Sequence, residues 1–227
     1  MTSPHEHTVR ITKGTLALEG ILGIPAGSHG VVVFAHGSGS GRFSPRNNFV
    51  ARHLQQNGLA TLLLDLLTPA EADDRRKVFD IDLLADRLLL AKTWLGAESR
   101  TKSLGIGYFG ASTGAGAALQ AAAREPASVR AVVSRGGRPD LAKPYLASVM
   151  APTLLIVGGY DEPVIEMNQA AYELLTCEKK IIIVPGATHL FEEPGTLEQV
   201  ADHARGWFQR CFAHPAKPPQ TSRRKES

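Results

Sequence analysis

Cysteine is scarce in this chain, with only Cys177 and Cys211 among 227 residues. They form no CxxC pair, and two are too few for a disulfide scaffold. Both sit in or beside helical patterns, which predicts buried structural thiols rather than nucleophiles. The opening MTSPHEHTVRITKG has no apolar core behind a positive charge. No secretory signal is therefore expected, and reduced thiols in a cytoplasm follow. Long hydrophobic runs are also missing. None approaches the ~20 residues that span a bilayer, so no membrane partner is expected. An excess of one charge is missing from the body. The formal net charge of +3 sits in the tail His214–Ser227, where Lys217, Arg223, Arg224 and Lys225 face only Glu226. A neutral body excludes nucleic acid as the main partner, because phosphate binding needs a basic face. The tail is polar, rich in proline and without periodicity, and is expected to be a disordered basic segment over residues 214–227.

What is present is an ordinary globular composition, 43% hydrophobic and 21% charged. This excludes a disordered chain, a collagen-like repeat and a coiled coil. Short apolar runs recur at residues 31–36, 60–65, 104–110, 129–135, 153–159 and 180–186. Each is bounded by Gly, Pro or charge, the mark of strands buried on both faces of a parallel sheet. Helical patterns lie between them at Asn47–Asn57, Phe79–Leu95, Thr113–Arg124, Glu162–Leu175 and Leu197–Phe212. Before Val31 the chain reads as one or two antiparallel edge strands. The expected fold is α/β: one domain over residues 1–213, with a mostly parallel central sheet and helices on both faces.

The run LGIGYFG leads into Gly110-Ala111-Ser112-Thr113-Gly114 and then an Ala-rich helix. G-x-S-x-G between strand and helix is the pattern of a nucleophile elbow. The turn is tight, so residues two before and two after the serine must be small. Ser112 is lifted clear at a helix N-terminus, where the dipole favours negative charge. A serine hydroxyl needs a base, and in this architecture the order is Ser, acid, His. Asp161 and His189 each follow the carboxyl end of a predicted strand, where α/β sheets place their sites. His203 lies within the last helix, and His5, His7, His29 and His214 lie in termini or loops. For the acid, Glu162 competes with Asp161, and Asp140 more weakly; Glu162-Pro163 reads as the start of the next helix. The loop His36-Gly37-Ser38-Gly39 leaves backbone N–H groups free for an oxyanion. Thr113 is expected to supply one donor. Ser38 is placed first for the other and Gly39 second. The loop lacks the endings of the nucleotide-binding motifs.

The motifs HGSGSG, GASTGAG, GGYDEP and GATHLFEEPG, each after its strand, resemble those of the α/β-hydrolase superfamily. Within it the chain resembles the small, lidless, dienelactone-hydrolase-like branch, over about residues 10 to 213. It is also similar to hydrolase-like domains found beside, or fused to, phosphoribosyltransferase domains in bacteria. Dienelactone hydrolases proper carry a cysteine nucleophile, whereas here the elbow holds Ser112. The resemblance therefore implies serine-esterase chemistry rather than the specific lactone.

Only about seventeen residues separate the predicted strands ending at Arg135 and starting at Thr153. That leaves no room for a large lid, so acetyl to butyryl esters are expected over esters longer than about ten carbons. Arg42, Arg46, Arg135 and Arg138 fall on strand-end loops. Arginine forks suit a carboxylate or phosphate, which points to an anionic ester; alternatively these arginines pair with Asp140, Glu192 and Glu193 to hold the loops. The expected protein is a cytoplasmic serine hydrolase cleaving small esters, lactones or thioesters through an acyl-enzyme, with no metal and no cofactor. A non-catalytic binding module and an acyltransferase on the same scaffold are the alternatives.

Overall fold

The apolar runs are rich in Val, Ile and Leu, which fit a pleated sheet covered on both sides. The structure, a computed structural model that describes residues 5–213, joins eight strands in one sheet. They are β1 (His5–Lys13), β2 (Leu16–Ile24), β3 (Gly30–Ala35), β4 (Ala60–Leu64), β5 (Gly105–Ala111), β6 (Ala131–Arg135), β7 (Thr153–Gly158) and β8 (Lys179–Val184). Their order is β1-β2-β4-β3-β5-β6-β7-β8. β1 and β2 form an antiparallel hairpin and β2 meets β4 antiparallel; all later pairs are parallel. The helices are α1 (Pro45–Gln56), α2 (Pro69–Ala72), α3 (Arg75–Val78), α4 (Ile81–Ala97), α5 (Thr113–Arg124), α6 (Glu162–Leu174) and α7 (Thr196–Ala213), with a 3₁₀ segment at Pro139–Ser148. This is a single α/β domain. The tail expected to be disordered lies outside the described residues.

Alternation along β3 shows how one strand serves two cores. Val31 and Val33 join Leu84 and Leu88 of α4 and Ala117 and Ala121 of α5 on one face. Val32 and Phe34 join Leu54 of α1 and Trp207 and Phe208 of α7 on the other. Each such side chain, fully buried, contributes roughly 1.5–3 kcal/mol. Helix α4 starts at Ile81 behind the N-cap Asp80, whose carboxylate accepts the Leu83 N–H at 3.0 Å; the sequence pattern began this helix two residues earlier, at Phe79.

Three local differences from the sequence reading have physical causes. The run at 180–186 is an edge strand, not one buried on both faces; Ile183 is 38% exposed. Residues 66–78, without apolar periodicity, hold two single-turn helices. α2 is fixed by a capping box in which the Thr68 hydroxyl accepts the Glu71 N–H and a Glu71 carboxylate oxygen accepts the Thr68 N–H. Residues 139–148 form the 3₁₀ segment, in which Pro144 withholds a backbone donor and Ala142 leaves helical geometry. No helix among the described residues is long and apolar enough to cross a membrane.

Candidate active site

Parallel strands bring their carboxyl ends to one edge of the sheet, and all the expected catalytic groups lie there. β5 ends at Ala111, and Ser112 follows with φ 50° and ψ −123°, a strained conformation for a residue with a side chain. The surroundings over-determine it. The Ser112 N–H donates to the Arg135 carbonyl at 3.3 Å, and the Arg138 N–H donates to the Ser112 carbonyl at 3.0 Å. A side chain at Gly110 would run into the backbone of Ala115, and one at Gly114 into the carbonyl of Ala35. Small residues at these two places are thus a steric requirement. Ser112 holds the N-cap position of α5, yet its hydroxyl caps nothing and is left for other use.

Asp161 and His189 arrive from β7 and β8. Backbone bonds from Gly159 to the Val184 carbonyl at 2.8 Å and from Tyr160 to the Ala187 carbonyl at 2.9 Å bind the two loops together. His189 Nδ1 and Asp161 Oδ2 stand 2.6 Å apart, a hydrogen bond to the carboxylate that orients the ring and leaves Nε2 unengaged by Asp161. Glu162, the competing acid, is exposed on α6. The His189 loop is anchored by Phe191, 1% exposed and held at φ 55°. Gly136, at φ 50°, packs directly beneath His189: a Cβ there would stand 3.1 Å from the His189 carbonyl oxygen and 3.5 Å from its ring. Ser112 and His189 line one cavity of about 250 Å³. Their side chains make no direct hydrogen bond to each other in this geometry; such bonds commonly tighten only with substrate in place.

The loop after β3 passes over the elbow. Ser38 N–H donates to Thr113 Oγ1 at 3.0 Å, so the two residues expected to provide oxyanion donors are adjacent. His36, which the sequence reading passed over, supports this loop. Its Nδ1–H donates to the Gly37 carbonyl and its Nε2 accepts the Leu66 N–H, both at 3.0 Å. Burial lowers its pKa, against smaller opposing effects of the Gly37 bond and of Asp65. A neutral ring is what the bond from Leu66 requires, because a protonated Nε2 cannot accept it.

The four arginines have different surroundings. Arg42 is ion-paired with Asp65, which also accepts the Arg42 N–H at 2.6 Å. Arg46 bonds Glu192 at 3.0 Å on the rim. Arg138 makes a two-pronged pair with Asp140 at 2.8 and 2.7 Å. Arg135 is 7% exposed, its side chain makes no hydrogen bond or ion pair with any described residue, and its guanidinium lies over the face of Phe191 at 5.9 Å. It lines the Ser112–His189 cavity. Burial and the like charge of Arg46 lower its pKa to about 10, so it remains a cation.

A second cavity, of about 680 Å³, adjoins the first across Gly37, Ser38, Ser40, Ser44 and Arg46. It extends past the end of β4 to Leu67, Val78 and Leu84; Leu67 and Val78 lie in the stretch 66–78, where no periodic pattern points to a lining. Among the described residues no group of three or more His, Cys, Asp or Glu could hold a metal ion. Burial raises the thiol pKa of Cys211 to about 11 and also raises that of Cys177.

The family model described as "Dienelactone hydrolase family" matches residues 18–213. The chain belongs to the dienelactone hydrolase family. A dienelactone hydrolase structure from Anabaena variabilis is 57% identical, with a TM-score of 0.89, covering 92% of this chain and 99% of that one. A lidless serine hydrolase structure from Xanthomonas campestris shares the fold at 19% identity and a TM-score of 0.75, covering 94% of this chain and 97% of that one. A Mycobacterium tuberculosis protein named a putative phosphoribosyl transferase is 58% identical over 203 residues. Those residues are 89% of this chain and 46% of the relative, so the chain spans about half the length of the curated relatives it matches. Fold and family are those of α/β hydrolases.

Proposed function

We propose that this family member is a serine hydrolase of small carboxylic esters, working through an acyl-enzyme. The observation that carries this is the Asp161–His189 bond of 2.6 Å beside a strained, uncapping Ser112. His189 Nε2 takes the Ser112 proton as Oγ attacks the carbonyl carbon. The carbonyl oxygen, now negative, is received by the N–H groups of Thr113 and Ser38, replacing Thr113 Oγ1 as the partner of the latter. The imidazolium, held by Asp161, gives its proton to the leaving oxygen. Water then repeats the sequence on the acyl-enzyme, with the same base. Dienelactone hydrolases proper carry a cysteine at this elbow; the serine here needs His189 more, because a hydroxyl is hardly ionised by itself.

The test is labelling by a fluorophosphonate together with hydrolysis of a short aryl ester. Wild type should label at Ser112 and turn over. Ser112→Ala should do neither, with turnover down at least ~10⁴-fold. Retention of a tenth of the activity would place the nucleophile elsewhere.

A further inference from the structure

Helix α6 buries three residues, Val164, Asn168 and Ala171. The first and last are apolar, as a stripe facing the core should be. Asn168 between them is an amide, 0% exposed, in a helix interior, where Asn is a poor former. Its Nδ2 donates to the Val164 carbonyl at 2.8 Å and to the Gly137 carbonyl at 3.0 Å. Its Oδ1 is wholly enclosed and has no partner. An enclosed acceptor left unbonded works against folding. Asn168 thus satisfies one carbonyl, of buried Gly137, while its own oxygen is orphaned. Stability alone does not account for it, and such breaks in the local pattern fall mainly at functional sites.

What the bond to Gly137 holds supplies the reason. Residues 135–138 link β6 to the 3₁₀ segment, and this link meets two members of the triad directly. The Arg135 carbonyl accepts the Ser112 N–H at 3.3 Å, and the Arg138 N–H donates to the Ser112 carbonyl at 3.0 Å. Gly136 lies beneath the ring and carbonyl of His189. Gly137 has no slack below it, since a Cβ there would collide with Ser134 Oγ and Ala115 Cβ. The third member, Asp161, stands at the N-cap of α6. Asn168 lies about two turns further along the same side of that helix, and its amide fastens the middle of the link to it. Helix α6 therefore holds the acid at its start and grips, through Asn168, the backbone on which the base and the nucleophile both rest. Asn168 itself lines neither cavity of the site.

We infer that Asn168 is a positioning residue, which holds the Gly136–Gly137 backbone where it seats the His189 ring between Asp161 and Ser112. Its effect on turnover rests on the serine-hydrolase reading; its effect on the Asp161–His189 bond does not. Turnover is sensitive to this placement, because a shift of about 1 Å in a reacting group can cost about a hundredfold in rate. Substrate affinity is not, because Asn168 touches no part of the cavities.

The experiment compares Asn168→Leu, which keeps the volume and removes the donor, with Ala171→Gly, which weakens the same helix without touching the link. Both are assayed on a short aryl ester and for the rate of fluorophosphonate labelling, at a temperature where every variant is folded. Asn168→Leu should lower kcat about ten- to a hundredfold, leave KM unchanged and slow labelling in parallel. Its melting temperature should change little, because the Gly137 carbonyl is orphaned in place of Oδ1. Ala171→Gly should melt earlier and keep its kcat. Proton NMR reads the placement without hydrolysis. The proton shared by His189 Nδ1 and Asp161 should resonate far downfield of the amides in wild type, and should weaken or move upfield in Asn168→Leu. An unchanged kcat, a raised KM with kcat intact, or an unchanged downfield proton in Asn168→Leu overturns the inference. So does a fall in its melting temperature larger than that of Ala171→Gly, which would make the residue structural. Full turnover by Ser112→Ala would sink the serine-hydrolase reading instead, and the downfield proton would still decide whether Asn168 places the imidazole.

Discussion

Asp161 stands at the N-cap of α6 but does not cap it; its carboxylate accepts the His189 Nδ1–H at 2.6 Å. Ser112 does the same at α5, leaving its hydroxyl unbonded to the helix it begins. Asp and Ser are strong cap formers, and each uncapped helix start gives up about 1 kcal/mol. Two strand ends, with β6 between them, thus forgo local stability to leave a side chain free for another partner. Asp161→Asn keeps the size but turns the wrong hydrogen-bonding group toward Nδ1 and favours the wrong tautomer. We expect kcat to fall about 10⁴-fold, with fluorophosphonate labelling of Ser112 slowed in parallel. Retention of a tenth of wild-type kcat would remove Asp161 from the triad and turn attention to Glu162.

Gly136 is the floor on which His189 rests. Its φ of 50° and the 3.1 Å approach of the His189 carbonyl both disfavour a side chain. Gly136→Ala should destabilise the fold by about 1–3 kcal/mol, and the melting temperature should drop by roughly 2–4 °C per kcal/mol in a chain of this size. The methyl group also pushes the ring, so kcat should fall more than KM changes. A variant that melts earlier but turns over normally would mean that the loop absorbs the methyl group without moving the imidazole.

Val78 is half-buried in the wall of the larger cavity. Short acyl groups leave most of about 680 Å³ empty, so this cavity, open and without a lid, has room for an aryl or medium-length acyl group. Val78→Trp should lower kcat/KM for benzoyl or hexanoyl esters about tenfold, the equivalent of a modest steric misfit, and spare acetyl esters. Equal effects on both acyl groups would argue that the acyl chain does not enter this cavity.

The strands and their order of use were legible because each apolar run is short, continuous and bounded. That Ser112, Asp161 and His189 come to one edge of the sheet was legible because each follows such a run. The arginines were not. Whether a guanidinium is matched depends on long-range geometry: Arg42 finds Asp65 just past the end of β4, the strand beside β3, and Arg46 finds Glu192 in a loop 146 residues away. Asp140 and Glu192 were in view as loop partners, the first two residues from Arg138, but Asp65 was not, and nothing local says which arginine is left unmatched. Nor could periodicity find α2 and α3, whose single turns are too short to show any, although Thr68 and Glu71 spell a capping box once it is sought. His36 was missed as a support because its partners, the Gly37 carbonyl and the Leu66 N–H, are backbone groups that no side-chain motif records.

His36 also gives the protein a pH-dependent weakness. Its bond from the Leu66 N–H needs the neutral ring, since Nε2 cannot accept when protonated; the Nδ1–H bond to Gly37 does not. Burial lowers the folded-state pKa below the ordinary value near 6.5. Between those two values the unfolded chain binds a proton that the folded chain refuses, so stability rises with pH across that window. The contribution is complete above about pH 7 and is lost as the pH falls below about 6.5. Carboxylates held low by their partners, such as Glu71 and Glu125, weaken the fold only further down, as the pH falls toward and below about 4.5. The expected result is a melting temperature that declines between about pH 7 and pH 5.5. His36→Gln cannot titrate there, so its melting curve should be flatter over the same interval whatever its absolute stability. Thermal melts at four pH values on both proteins would decide it. Parallel slopes would assign the decline to another histidine and leave His36 as a support for the Ser38 loop alone.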